Sequence, residues 1–81
     1  MAGEILKSFA APGGSSQGLC FDGKHLWIAD LSTLLIYQLD LNGKIVRSFA
    51  APGPSIQGLA FDGRALWVCD NGSDLIYQIS L

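Results

Sequence analysis

The chain of 81 residues is 49% hydrophobic and only 15% charged, a composition that argues against intrinsic disorder. Its net charge of −2, with scattered Lys and Arg, offers no basic stripe, so we expect no nucleic-acid partner. No run approaches the roughly 18 apolar residues of a membrane span, and residues 1–9 lack the pattern of a signal peptide. We therefore expect no membrane partner and a cytoplasmic location when the chain is expressed as written, with its natural location left open.

Short strands separated by proline, glycine and tight turns are predicted along the chain. Residues 4–9, EILKSF, form an apolar segment that ends before Pro12 and its following glycine. Asp22-Gly23 and Asn42-Gly43 are residue pairs favoured in tight hairpins. The strands predicted around these turns are residues 18–22, 25–30, 35–40 and 44–49. A helical interpretation fails, because proline and glycine interrupt the chain too often and the intervening runs are β-branched and aromatic.

The same order of segments returns forty residues later without a gap. About 23 of the 39 paired positions, 3–41 against 43–81, are identical. The most similar stretch, QGLCFDGKHLWIAD at 17–30, returns as QGLAFDGRALWVCD at 57–70. The second copy predicts further strands at residues 58–62, 65–70 and 75–80. We interpret the chain as one unit, 1–81, of two forty-residue repeats, 3–42 and 43–81, a size typical of β-propeller blades.

The strands of both copies are apolar at odd and even positions alike. Leu66, Trp67 and Val68 follow one another, as do the apolar residues of LIYQ at 75–78. A sheet with one face in water would alternate between apolar and polar residues, whereas these runs indicate burial of both faces. This pattern agrees with a blade that packs between two neighbouring blades.

The motifs GLAFDG at 58–63 and LWVCD at 66–70, followed by IYQI, resemble the repeats of NHL-type and streptogramin-lyase-like propellers. The resemblance extends over residues 3–81. It implies that the strands at 18–22 and 58–62 line a central channel and that the strand at 44–49 is outermost. It also implies that Trp27 and Trp67 lie between blades. One blade pattern serves many activities, so the resemblance implies a fold rather than a reaction.

The two predicted blades are not equally complete. The first has four strands within the chain, whereas the second has three, and residues 4–9 supply a strand without a blade. We expect residues 4–9 to complete the second blade of a neighbouring copy, because head-to-tail contacts close a ring when the rotation divides the circle. The prediction is an all-β protein with two four-stranded antiparallel propeller blades per chain. A homotrimer with six blades is favoured over a tetramer with eight.

Four polar side chains are candidate ligand positions in the channel or its loops. Asp22 and Asp62 precede glycine in predicted hairpins, where aspartate normally serves the turn itself. The alternative is a ring of carboxylates at one channel mouth that could hold a cation. Gln17 and Gln57 belong to the loops that border the channel if the resemblance holds. We predict no catalytic residue, no cofactor and no metal ligand.

The remaining candidates have simpler structural interpretations. Asp30 and Asp70 end strands and are expected to accept hydrogen bonds from turn amides, while His25, the only histidine, is expected to be a turn residue. Some streptogramin-lyase-like relatives use a histidine as a base, but the local sequence here does not match theirs. Cys20 and Cys69 are expected to be free buried thiols. The repeated aromatic residues are expected to belong to the core, and they are Trp27, Trp67, Tyr37 and Tyr77. The aromatic residues could instead form sugar-stacking platforms.

These observations favour a self-assembling scaffold over an enzyme. The chain is then either an engineered scaffold or a short natural ancestor-like repeat. The similarity of the copies, the ends in register with the repeat and the lack of a targeting segment favour design or excision. A multivalent, lectin-like binding module is the alternative, since a symmetric ring would present identical pockets. A lyase-like enzyme active only as an assembled ring is the third hypothesis.

Overall fold

The computed structural model describes residues 2–81, so of the predicted unit 1–81 only Met1 lies outside the described residues. Regular structure in this range consists of seven short strands. They are β1 (Ser16–Phe21), β2 (Leu26–Asp30), β3 (Leu35–Leu39), β4 (Ile45–Ala50), β5 (Ile56–Phe61), β6 (Leu66–Asp70) and β7 (Leu75–Ile79). Among the described residues there is no helix long and apolar enough to cross a membrane. The all-β prediction is confirmed.

The strands form two antiparallel sheets that follow the repeat. The first sheet has the order β1-β2-β3-β4 and the second has the order β5-β6-β7. Both follow chain order, because tight turns join each strand to its sequence neighbour. The prediction of four strands in the first unit and three in the second is therefore confirmed for the strands that the chain itself supplies.

Some strand ends differ from the predicted ones, because a hairpin turn includes more residues than the Asp-Gly or Asn-Gly pair at its centre. Asp22 N donates to His25 O at 3.1 Å, so both residues belong to the first hairpin turn and β2 begins at Leu26. Gly23 has φ of 99°, the left-handed conformation that glycine adopts without strain. At the other end of β1, Ser16 already pairs with Asp30, two residues before the predicted start.

Each sheet has two faces, which we name after a residue on each. The tryptophan face of the first sheet is formed by Gly18, Cys20, Trp27, Ala29, Ile36 and Gln38, which pair side by side across β1, β2 and β3. Its leucine face is formed by Ser16, Leu19, Phe21, Leu26 and Ile28. In the second sheet the tryptophan face is formed by Gly58, Ala60, Trp67, Cys69, Ile76 and Gln78. The leucine face there is formed by Ile56, Leu59, Phe61, Leu66 and Val68.

The core lies between the tryptophan face of the first sheet and the leucine face of the second. Its six fully buried residues come from both faces, and they are Trp27, Ala29, Ile36, Ile56, Leu66 and Val68. At the inner edge β1 and β5 approach closely, since a Cβ atom built on Gly18 would lie 3.1 Å from the Gly58 Cα atom. The outer strand β4 closes the core, where the Phe49 ring lies 6.0 Å from the Trp27 ring between centroids.

Residues 4–9 are outside the two sheets of the single chain. They pass the turn between β3 and β4, where Lys7 Nζ donates to Asn42 Oδ1 at 3.3 Å and the Phe9 ring occupies the space that a Gly43 side chain would need. Ile5 and Leu6 are 84% and 91% exposed. The expected pairing of this segment with another copy remains a prediction.

Candidate functional site

Asp22 organises the turn between β1 and β2. Its Oδ1 atom accepts hydrogen bonds from the backbone N–H groups of Lys24 at 2.8 Å and His25 at 2.7 Å. Its Oδ2 atom accepts from the Trp27 indole Nε1 at 2.8 Å. Burial opposes ionisation, but these hydrogen bonds outweigh it and lower the pKa of the Asp22 carboxyl. The carboxylate thus links the turn to the tryptophan in the core.

Asp62 repeats this arrangement in the second sheet. Its carboxylate accepts from Arg64 N and Ala65 N, both at 2.8 Å, and from Trp67 Nε1 at 2.6 Å. The hydrogen bonds from Ala65, Trp67 and Arg64 lower the pKa of Asp62 to about 2. The geometry gives both candidate aspartates a turn role, whereas the cation ring stays a prediction. The bond to the indole was missed in the sequence, although the repeated spacing of five residues from Asp to Trp was its signal.

Asp30 and Asp70 end β2 and β6 and are both only 2% exposed. Asp30 accepts from the backbone N–H groups of Ser15, Ser32 and Thr33, and Asp70 accepts from those of Ser55 and Ser73. The hydroxyl groups of Ser32 and Ser73 also donate to them, and this hydroxyl bond is the largest cause that lowers the pKa of each carboxyl. The expected role in binding turn amides is confirmed.

Gln17 and Gln57 are both exposed and lie at equivalent bulges, where the pairing of the inner strand skips one residue. Gln57 borders a shallow cavity of about 260 Å³ beside Cys69 and Ile76. A second cavity of about 270 Å³ lies next to it, between Gly58 and Trp67. Both cavities are on or beside the tryptophan face of the second sheet, so they are two depressions in one open surface.

The tryptophan face has opposite surroundings in the two sheets. Trp27 and Ile36 are fully buried, whereas their equivalents Trp67 and Ile76 are 37% and 72% exposed. Cys69 is also exposed, so the expectation of a buried thiol is wrong for it within one chain, because this face has no third sheet against it. Cys20 is half-buried, and burial, with a contribution from the Asp22 charge, raises the pKa of its thiol.

The leucine face shows the complementary difference. Leu66 and Val68 of the second sheet are fully buried against the first sheet. In the first sheet, Leu19 and Phe21 are 58% and 53% exposed. In β3 of the same face, Tyr37 and Leu39 lie opposite Ile28 and Leu26 and are only 7% and 1% exposed. The chain therefore contains one covered pair of faces, one open tryptophan face and one leucine face that is open mainly along β1. Each open face is a sequence copy of a face that is covered.

The aromatic and histidine side chains add no reactive centre. Tyr37 Oη donates to Thr33 Oγ1 at 3.0 Å, and the Tyr77 hydroxyl lies 3.2 Å from Ser73 Oγ, so both polar tips are paired as expected. His25 belongs to the first hairpin turn, which agrees with the predicted turn role. In residues 2–81, no group of three or more His, Cys, Asp or Glu side chains is placed to hold a metal ion.

The candidate site is therefore a surface rather than a pocket with reactive groups: the tryptophan face of the second sheet, together with the leucine face of the first. No protein-family model, curated protein or solved structure matches this chain.

Proposed function

We propose that the chain is a structural repeat unit that assembles with identical copies. The tryptophan face of its second sheet docks on the leucine face of the first sheet of the next copy. The observation that carries this proposal is the interface within the chain, where the same two kinds of face already pack together with six fully buried residues. Because about 23 of the 39 paired positions of the two repeats are identical, the open faces resemble the covered faces in sequence.

The exposed side chains supply the driving force for this docking. Ile76 and Trp67 would gain the burial that Ile36 and Trp27 have, and Leu19 and Phe21 would gain that of their equivalents. Removing apolar surface from water contributes roughly 25 cal/mol per Å². Contiguous apolar surface of this extent is typical of protein–protein contact sites. An isolated chain would leave both faces in water.

The free edge of β7 is the second feature that favours another copy of the chain. β3 pairs with β4 on its outer side, but β7 is the last strand of its sheet. Residues 5–10, ILKSFA, differ from the β4 sequence IVRSFA at only two positions. We infer that this segment of a second copy adds to β7 as a fourth antiparallel strand, since open strand edges bind extended segments.

The pairing of β3 with β4 gives the expected register of the added strand. Ile36 lies opposite Phe49 and Gln38 lies opposite Arg47. The equivalent pairs would be Ile76 with Phe9 and Gln78 with Lys7 of the other copy. In the first sheet, Arg47 Nε donates to Gln38 Oε1 at 2.9 Å and its guanidinium lies 5.3 Å from the Trp27 ring centroid. Lys7 has the charge and length to approach Gln78 and Trp67 similarly.

Head-to-tail docking with one rotation per chain ends in a closed ring when that rotation divides the circle. We propose that each sheet is a propeller blade, that three chains form a ring of six blades, and that the assembly is a scaffold without catalysis. Four chains and eight blades are the alternative. Free thiols such as Cys20 and Cys69 persist in reducing compartments, which supports the proposed cytoplasmic location.

Light scattering after size-exclusion chromatography tests the proposal. We expect a mass near three times 8.6 kDa for the intact chain. Ile76→Lys should give a folded monomer, since the side chain is 72% exposed in one chain but would be buried by a partner. Leu41→Lys is the matched control, because Leu41 is 45% exposed in the turn after β3, outside both faces, and the mass should not change.

Removing residues 2–9 should also prevent assembly, because β7 would then keep its open edge. A monomeric intact chain at micromolar concentration would contradict the proposal. So would an oligomer that persists in the Ile76→Lys variant. A fourfold mass would replace the trimer with the tetramer while supporting the docking itself.

A further inference from the structure

The covered interface and the proposed interface between copies differ at two matched pairs of positions, of which one includes Ser16 and Cys69. In the covered interface, Ile56 of the leucine face and Ala29 of the tryptophan face belong to one buried cluster. The equivalent residues of the open faces are Ser16 and Cys69. We propose that Ser16 of one copy packs against Cys69 of the next as a complementary pair that specifies the contact between chains. This inference rests on the proposed function.

The strand pairing places both residues on the faces that would meet. Ser16 lies opposite Asp30 at the start of β1, as Ile56 lies opposite Asp70 at the start of β5, so each begins its leucine face at the same bulge. Cys69 lies opposite Ile76 on the open tryptophan face. Docking of equivalent faces would therefore place position 16 and position 69 in one cluster, as positions 56 and 29 belong to one cluster within the chain.

The sizes of the two pairs compensate each other. Isoleucine to serine removes two heavy atoms from the leucine face, and alanine to cysteine adds a sulfur atom to the opposite face. A well-packed core penalises both an added group and a cavity, so the two changes are tolerated together better than singly. A second pair of positions shows the same compensation in size. In the covered interface these positions are Val68, in the buried cluster, and Cys20, which packs against it. In the open faces Val68 is replaced by the larger Ile28 and Cys20 by the smaller Ala60.

The hydroxyl group of Ser16 is buried within its own chain. Ser16 Oγ has no hydrogen-bond partner among the described residues. A buried hydroxyl without a partner is costly, and Ile56, the equivalent residue of the covered interface, has no such group. The part of Ser16 that is available to the next copy is the partly exposed remainder of the residue.

A double-mutant cycle at the two positions tests this inference by the dissociation constant of the assembly. Ser16→Ile should weaken assembly about tenfold, because isoleucine would face the larger cysteine. Cys69→Ala should weaken it to a similar degree, because serine would face a cavity. The double variant, which restores the isoleucine and alanine of the covered interface, should assemble within about threefold of the original chain.

Far-UV circular dichroism and urea denaturation of each diluted variant control for folding, because Cys69 is exposed in the single chain whereas the Ser16 hydroxyl is buried in it. Alkylation of Cys69, located by peptide mass spectrometry, supplies a second readout, and the rate should fall when the chains assemble. If the original chain assembles but the two effects add in the double variant, the pairing is wrong and the docking stands. If alkylation of Cys69 does not slow on assembly, the pairing is equally wrong. A chain that never assembles would overturn both proposals.

Discussion

Aspartate side chains stabilise the turns of this protein by accepting hydrogen bonds from the turn backbone. Five of them accept hydrogen bonds from nearby backbone N–H groups, and these are Asp22, Asp30, Asp40, Asp62 and Asp70. Their acceptor oxygens replace the strand partners that a turning backbone lacks. In two of the turns the same carboxylate also fixes the indole ring of the following strand. Asp22, in the turn between β1 and β2, and Asp62, in the turn between β5 and β6, thus each orient the tryptophan of one tryptophan face.

The pKa values of these carboxyl groups predict how stability depends on pH. Each pKa is lowered in the folded chain, that of Asp62 to about 2. Their stabilising contribution is therefore complete above the unfolded pKa, near 4, and is lost as the pH falls through the folded value. We expect the free energy of unfolding, measured by urea denaturation, to fall steadily from about pH 4 to about pH 2.

Asp62→Asn provides the control for this pH dependence, because asparagine keeps an acceptor for the turn amides but does not ionise. The variant should be less stable than the original chain at neutral pH and should lose less stability on acidification. An identical acid slope in the two proteins would show that Asp62 does not contribute through its ionised form.

At the scale of the strands, glycine allows the two inner strands to approach each other. A Cβ atom on Gly18 would meet the backbone of Gly58 and Leu59 at 3.1–3.3 Å, whereas one on Gly58 would meet only the Cys69 sulfur at 3.4 Å. We expect Gly18→Ala to destabilise the chain by about 1–3 kcal/mol, because backbone atoms must shift. Gly58→Ala should leave the single chain folded and should weaken assembly instead.

Urea denaturation and light scattering on the two glycine variants separate these effects. The comparison is matched, since the residues occupy the same place in the two repeats and neither has a positive φ. Loss of folding in Gly58→Ala would mean that this glycine serves the chain itself. Unchanged assembly of that variant would argue against docking of the inner strands between copies.

Most strands and turns of this protein could be predicted from local sequence. Asp22-Gly23 and Asn42-Gly43 mark hairpins by their own conformational preferences, and the repeat fixes the strand order. The surroundings of Cys69 could not be predicted, because its sequence context is that of a buried strand and its exposure depends on the absence of a third sheet. The same holds for residues 4–9, whose sequence resembles that of β4 but which lie outside both sheets of the chain.

At the scale of the molecule, the chain has more surface than its size requires. Its accessible surface is 5174 Å², against about 4,700 Å² for a typical folded monomer of this mass. It is also elongated, with extents of 41 × 28 × 25 Å. Exposed apolar side chains contribute to this surface, both in residues 4–9, where Leu6 is 91% exposed, and on the second sheet, where Ile76 is 72% exposed.

Assembly predicts that stability depends on protein concentration. A partner that binds only the folded chain stabilises it by mass action, so the thermal unfolding midpoint should rise between about 1 µM and about 100 µM. The Ile76→Lys variant should show a midpoint that does not change over this range. A constant midpoint for the original chain would indicate either a monomer or an assembly too tight to dissociate, and light scattering at the lowest concentration distinguishes the two.

The two open faces give the molecule a direction. In the proposed assembly each copy has one surface that receives and a different one that inserts, so a pair of copies would still have one of each and would be no more complete than a single chain. Every open intermediate would retain its tendency to grow, and only closure would remove both ends at once. The product would then be selected by geometry rather than by a stop signal in the sequence, and the angle between the sheets would decide the number of copies at which growth ends.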